Sequence, residues 1–164
     1  MSRSGYVDDC DDNWAEIRWR GAIASAMSGR RGQAFLRETL AAMDAMPVKE
    51  LGADSLVTQD GAFCTLGVVG AKRGIDMAAL DPDDADEVGK AFWIAPAMAR
   101  EIVYQNDENG WRYEERPWVM RTPWDYPTSY RVEETPAERW TRMRAWVVSH
   151  IAAAPEVVAK GVEL

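Results

Sequence analysis

The chain is poor in the residues that most often perform chemistry. His150 is its one histidine, and its two cysteines, Cys10 and Cys64, stand far apart. Two cysteines cannot build a disulfide scaffold, so a reducing, cytoplasmic setting is expected. The same scarcity leaves a tetrahedral zinc site short of thiolate and imidazole ligands. No stretch approaches the roughly 18 consecutive apolar residues of a membrane helix. The opening "MSRSGYVDDCDDNW" has no apolar signal core, so secretion is not expected either. Lysine is scarce as well, occurring only as Lys49, Lys72, Lys90 and Lys160. The glycines of "LGVVGAKRG" have the wrong spacing for a dinucleotide fingerprint, and no other cofactor motif is visible.

What is present is a core and a charge imbalance. Of 164 residues, 47% are apolar, enough for one self-sufficient domain. The net charge of −8 argues against general nucleic-acid binding, because phosphates repel an acidic surface. Acid gathers at Asp8, Asp9, Asp11 and Asp12 and again in "LDPDDADE", whereas arginine gathers between Arg112 and Arg144. Arginine forms bidentate pairs with carboxylates and stacks on rings, which suits internal or partner salt bridges. The plain alternative is a solvated charged surface.

The pattern predicts a mainly α protein: a single-domain bundle of about five or six helices, with room for one short β-hairpin. Residues 1–13 read as an acidic arm, 14–152 as the helical domain and 153–164 as a tail. A first helix is expected over about residues 14–27. Trp14, Ile17 and Gly21 share one of its faces and Trp19, Ile23 and Met27 another, so neighbours should wrap it on both sides. A second helix, over about 33–46, buries Leu36, Leu40 and Met43 and stops at Pro47. "DSLVTQDGAF" reads as a strand and tight turn around Asp60-Gly61. In "FCTLGVVGAKRG", Gly67, Gly70, Ala71 and Gly74 recur at helical spacing and predict a bare face for a closely packed helix. Asp81 and Pro82 open the next helix, and Pro96 starts one bearing Met98 and Ile102. The clearest start of all is Thr135-Pro136-Ala137-Glu138, a capping box followed by Trp140, Met143, Val147 and Ile151 at core spacing.

The Cys-x-Leu-Gly helix start at Cys64, followed some forty residues on by Ile-x-x-x-Asn-Asp ending at Asp107, resembles a group of small uncharacterised proteins of tailed bacteriophages and prophages of proteobacteria. "WRGAIASAMSGRRGQAFLRETLAAMDAMP" and "ERWTRMRAWV" look like the same group, so the resemblance spans most of residues 13–147. It implies a phage protein in a bacterial cytoplasm and brings no activity with it. In such proteins the Asn-Asp turn leads quickly into the last helix; here a longer connection intervenes. The motif residues Cys64, Leu66, Gly67, Asn106 and Asp107 read two ways. Structurally, Cys64 is a small buried side chain near a helix start, while Asn106 and Asp107 close a helix and bind nearby backbone. Functionally, Cys64 is a nucleophile with His150 as base and Asp107 or Asn106 orienting it. His150 shares its helix side with Arg139, Arg142 and Trp146, which reads as outward-facing.

The connection itself, "GWRYEERPWVMRTPWDYPTSYRV" over 110–132, shows no clear helical or strand period. Three readings fit its Trp, Tyr, Arg and Pro content: a lid of buried rings on the core, a partner-binding surface, or a stacking platform for single-stranded nucleic acid. As a partner surface it would use Trp111, Tyr113, Arg116, Trp118, Arg121, Trp124 and Tyr126. The resulting expectation is a non-enzymatic phage accessory protein that binds a host or phage protein, with a defence or nucleic-acid-handling factor of the host as its target. A virion assembly role comes second and a cysteine-dependent hydrolase third.

Overall fold

The computed structural model describes residues 13–116, 122, 126 and 128–153. The acidic arm up to residue 12, the tail from residue 154, and Cys10, Trp118, Arg121 and Trp124 lie outside the described residues. Among those described are six α-helices: α1 (Asn13–Ser28), α2 (Arg30–Ala45), α3 (Thr65–Arg73), α4 (Ala85–Phe92), α5 (Pro96–Val103) and α6 (Pro136–His150). An antiparallel hairpin of β1 (Trp111–Glu115) and β2 (Ser129–Glu133) stands between α5 and α6. The mainly helical architecture with one short hairpin is as the sequence predicts.

α2 lies at the centre, against α1, α3 and α6, and α5 closes the other side against α1, α3 and α4. Leu36, Met43, Leu66, Phe92, Met98 and Met143 meet in the middle, all fully buried. Each such side chain contributes roughly 1.5–3 kcal/mol by leaving water. The corner between α1 and α2 is one residue wide, at Gly29. A Cβ on Gly32 would stand 2.0 Å from the Ala26 carbonyl oxygen, so only glycine permits the second helix to start so close to the first. Ion pairs then tie the helices. Arg73 of α3 grips Glu38 of α2 through Nε at 2.9 Å and through Nη2, and donates from Nη1 to the Phe92 carbonyl at 2.7 Å. Arg144 of α6 holds Asp44 of α2 at 2.6 and 3.1 Å.

Several local expectations are corrected. α1 buries only one of its two apolar faces: Ile23, Ala26 and Met27 pack inward, while Trp14 and Ile17 remain 71% and 58% exposed. α4 begins at Ala85 rather than beside Asp81, because Asp84 takes the cap and accepts from the amides of Asp86 and Glu87. Asp81 instead closes the preceding turn by accepting from the Asp83 amide. The Asp60-Gly61 turn forms, with Gly61 at φ +85°, but its flanks pair only through one bridge, Val57 to Phe63. Gly67 and Gly70 do take close neighbours, a loop carbonyl at one and side chains at the other, rather than the backbone of a second helix. The Leu56 carbonyl covers Gly67, and Met77 and Phe92 side chains cover Gly70. The Thr135 capping box is present in full, with Pro136 in the first turn.

The true hairpin lies in the segment that shows no period. Its alternation is real, with Trp111 and Tyr113 two residues apart on one face. It is masked because charged residues occupy both faces and neither strand has a buried stripe; only Glu114 and Val132 are half-buried.

Candidate functional site

The motif residues Cys64, Leu66, Gly67, Asn106 and Asp107 come together at the joint between α3 and the end of α5. Cys64 caps α3: its Sγ accepts from the Gly67 amide at 3.4 Å, and it is buried. Past Val103 the α5 backbone widens into a π-helical turn, Tyr104–Glu108, which delivers Asn106 into the interior. There its Oδ1 accepts from the Thr65 amide at 3.1 Å and the Thr65 hydroxyl at 2.8 Å. Its Nδ2 donates to the Gly52 carbonyl at 3.0 Å and to Asp107 Oδ1 at 2.6 Å. All four hydrogen bonds available to the amide are therefore made. Leu66 is core, and Gly67 leaves room for Leu56 backbone: a Cβ there would lie 1.9 Å from the Leu56 oxygen. One polar side chain thus fastens α3, α5 and the 47–63 loop together.

The structural reading of this motif accounts for the hydrogen bonds described above. The nucleophile reading needs Cys64 beside His150, whereas Cys64 is buried at the start of α3. His150 stands exposed at the end of α6, its Nδ1 2.8 Å from the Trp146 carbonyl oxygen and 3.1 Å from Ser149 Oγ. Among the described residues no group of three or more histidine, cysteine or acidic side chains is placed to hold a metal ion.

A second cluster fixes the foot of the hairpin. Glu134, its side chain 8% exposed, receives Arg142 through Nε at 2.8 Å and through Nη2, and lies 3.2 Å from Arg139 Nε. Arg142 also donates to the Gln105 carbonyl, and Arg139 to the Leu51 carbonyl at 3.0 Å. A Cβ on Gly110 would collide with Glu134 Oε1, so glycine there lets β1 leave the π-turn beside this carboxylate. Arg139 and Arg142 are thus inward struts rather than the outward-facing arginines the helix position suggests.

Beyond that foot the hairpin projects. Its register pairs Trp111 with Glu133, Arg112 with Val132, Tyr113 with Arg131, Glu114 with Tyr130 and Glu115 with Ser129. Arg112, Glu114, Val132, Tyr130 and Arg116 share the inner face. Arg112 pairs with Glu114 at 3.0 Å and reaches Glu138 of α6 at 3.5 Å; Tyr130 donates to Glu114, and Arg116 lies over the Tyr130 ring at 5.5 Å. The outer face carries Trp111, Tyr113 and Arg131. Trp111 and Tyr113 meet edge to face at 5.0 Å, and the Arg131 guanidinium sits 5.0 Å over the Trp111 ring. Trp111 is 43% and Tyr113 64% exposed, and Tyr126 is exposed too. The described rings of the segment do not fold onto the core as a lid. Of the expected partner residues, Trp111 and Tyr113 share this platform, Arg116 sits on the opposite face, and Tyr126 lies in the connection. Trp118, Arg121 and Trp124 lie outside the described residues. Arg131 and Tyr130 were missed by motif reading, because only the cross-strand register shows which cation meets which ring.

Two open grooves lie elsewhere among the described residues. One, about 680 Å³, is lined by Trp19, Gln33, Glu101, Tyr104 and His150; the other, about 590 Å³, runs along Met46, Val48, Phe63 and Val68. Gln33 in the first is a latch, donating to the carbonyls of Met27 and His150 and accepting from the Ala152 amide. Among the described residues no helix is long and apolar enough to cross a membrane. No protein-family model matches this chain, and no curated protein or solved structure matches it.

Proposed function

We propose that this chain is a non-enzymatic accessory protein that works by binding another protein through the outer face of its hairpin. The observation that carries the reading is the Trp111–Tyr113–Arg131 platform. Tryptophan, tyrosine and arginine dominate interface hot spots, and here they are gathered across two paired strands and left in water. Rings already locked in place lose little freedom on docking. The acidic net charge weighs against single-stranded nucleic acid as the ligand. The resemblance to phage and prophage proteins supplies the setting: the host cytoplasm, with a host defence or nucleic-acid-handling protein as the target.

Affinity capture from host lysate tests the reading. The intact chain should retain a defined host protein, and a Trp111→Ala, Tyr113→Ala double variant should lose it while keeping its far-UV helicity. Capture unchanged by the double variant, or no protein retained by the intact chain, overturns it. Recovery of the chain inside purified virions would instead support assembly.

A further inference from the structure

The hairpin has an open edge as well as an open face, and the backbone pairing shows which groups line it. The Glu134 amide donates to the Gly110 carbonyl at 3.0 Å and the Arg116 amide to the Thr128 carbonyl at 2.9 Å. With the observed register, residues 110, 112, 114 and 116 spend their backbone groups on β2. The N–H and C=O groups of Trp111, Tyr113 and Glu115 therefore point away from β2, and no hydrogen bond among the described residues engages them. A two-stranded ribbon of this length, half-buried only at Glu114 and Val132, is marginal in water and gains from further strands.

We infer that two copies of this chain pair antiparallel along β1, in the register that sets Tyr113 against Tyr113, to make a four-stranded sheet. The charges select that register. A two-fold axis at Arg112 sets arginine against arginine, and one at Glu114 sets glutamate against glutamate and Arg112 against Arg116. An axis at Tyr113 sets each Arg112 against the other copy's Glu114, giving two opposite-charge pairs on the inner face. On the outer face it aligns Trp111, Tyr113, Tyr113 and Trp111 diagonally across the dyad. Opposite charges and aromatic pairs directly across strands are favourable, like charges unfavourable. On the β2 edge the register that opposes unlike charges, with its axis at Val132 and Arg131 against the other copy's Glu133, would also set Glu134 against the other copy's Tyr130, and Glu134 is already held by Arg139 and Arg142. Pairing uses the edge and leaves the outer face open, so this inference stands whether or not that face binds a second protein.

The test uses the purified full chain alone. Sedimentation over a concentration series should show a reversible dimer. Tyr113→Pro should give a monomer with the hairpin intact, because the amide it removes points outward and takes no part in the β1–β2 ladder. Arg112→Glu or Glu114→Arg alone should weaken the dimer roughly tenfold, and the two together should restore it. In a Cys10→Ser background, Tyr113→Cys should crosslink on mild oxidation and Val132→Cys should not. A chain that stays monomeric at every concentration overturns the inference. So does a dimer indifferent to Tyr113→Pro, failure of the double charge swap to rescue, or crosslinking through position 132.

Discussion

The Asn106 joint and the hairpin face sit less than ten residues apart in sequence and put polar and aromatic groups to opposite uses. At the joint, a buried amide makes every hydrogen bond it can and leaves nothing for a ligand. On the hairpin, Trp111, Tyr113 and Arg131 satisfy one another and still show broad faces to water. Arginine draws the same line. Arg142 is spent inside on Glu134 and two backbone carbonyls, whereas Arg131 is held over a ring at the surface. The difference teaches that saturation, more than residue type, separates a fastening from the open face proposed for docking.

The largest expected effect breaks the fastening. Asn106→Ala strands the Thr65 amide and hydroxyl and the Gly52 carbonyl in a dry interior. The expected loss is about 3 kcal/mol of unfolding free energy, read as a melting temperature lower by roughly 10 °C. A loss under about 0.5 kcal/mol would mean that the joint is not structural, and the contrast with the hairpin would collapse.

How far this contrast is legible in the sequence depends on what each part leans on. The helices are written locally: the Thr135 capping box, the prolines at 96 and 136, and the core spacing through Met143 and Val147 all act within a turn or two of the chain. Asn106 and Cys64 can be read as a backbone binder and a small buried side chain near a helix start without knowing their partners. Thr65 and Gly52 cannot be named in advance, since they arrive from 41 and 54 residues away. The hairpin escapes for the opposite reason. A strand announces itself through a buried face, and this one has none, so its alternation of rings and charges looks aperiodic. The misplaced start of α4 has a smaller cause: in an acidic run, Asp81 and Asp84 are equally good caps, and packing of Val88 and Phe92 decides between them.

A weaker effect sharpens the contrast from the side of charge. The hydrogen bond from Arg73 holds the Glu38 carboxyl below its ordinary value of 4.5, with burial opposing and the Arg73 charge assisting. A lowered folded-state value means that the contribution is fully present above about 4.5 and is lost as pH falls through the lowered value. Urea midpoints followed from about pH 7 down to about pH 3 should therefore decline less in Glu38→Gln than in the parent. The pair is partly exposed, so the difference should stay under about 1 kcal/mol. Identical acid limbs would show that the α2–α3 clamp contributes position without electrostatic stability.

The smallest expected change in stability belongs to the residues with the largest expected effect on binding. Trp111→Ala with Tyr113→Ala removes two rings that rest on each other and on Arg131 rather than on the core. The helical body should therefore unfold within about 0.5 kcal/mol of the parent. An exposed face of the kind proposed for docking contributes little to the fold that carries it, because its apolar area stays outside the core. If this double variant instead cost as much as Asn106→Ala, the rings would be bearing on the body after all. The hairpin would then be a second fastening, and the reading of its outer face as a contact surface would fail with it.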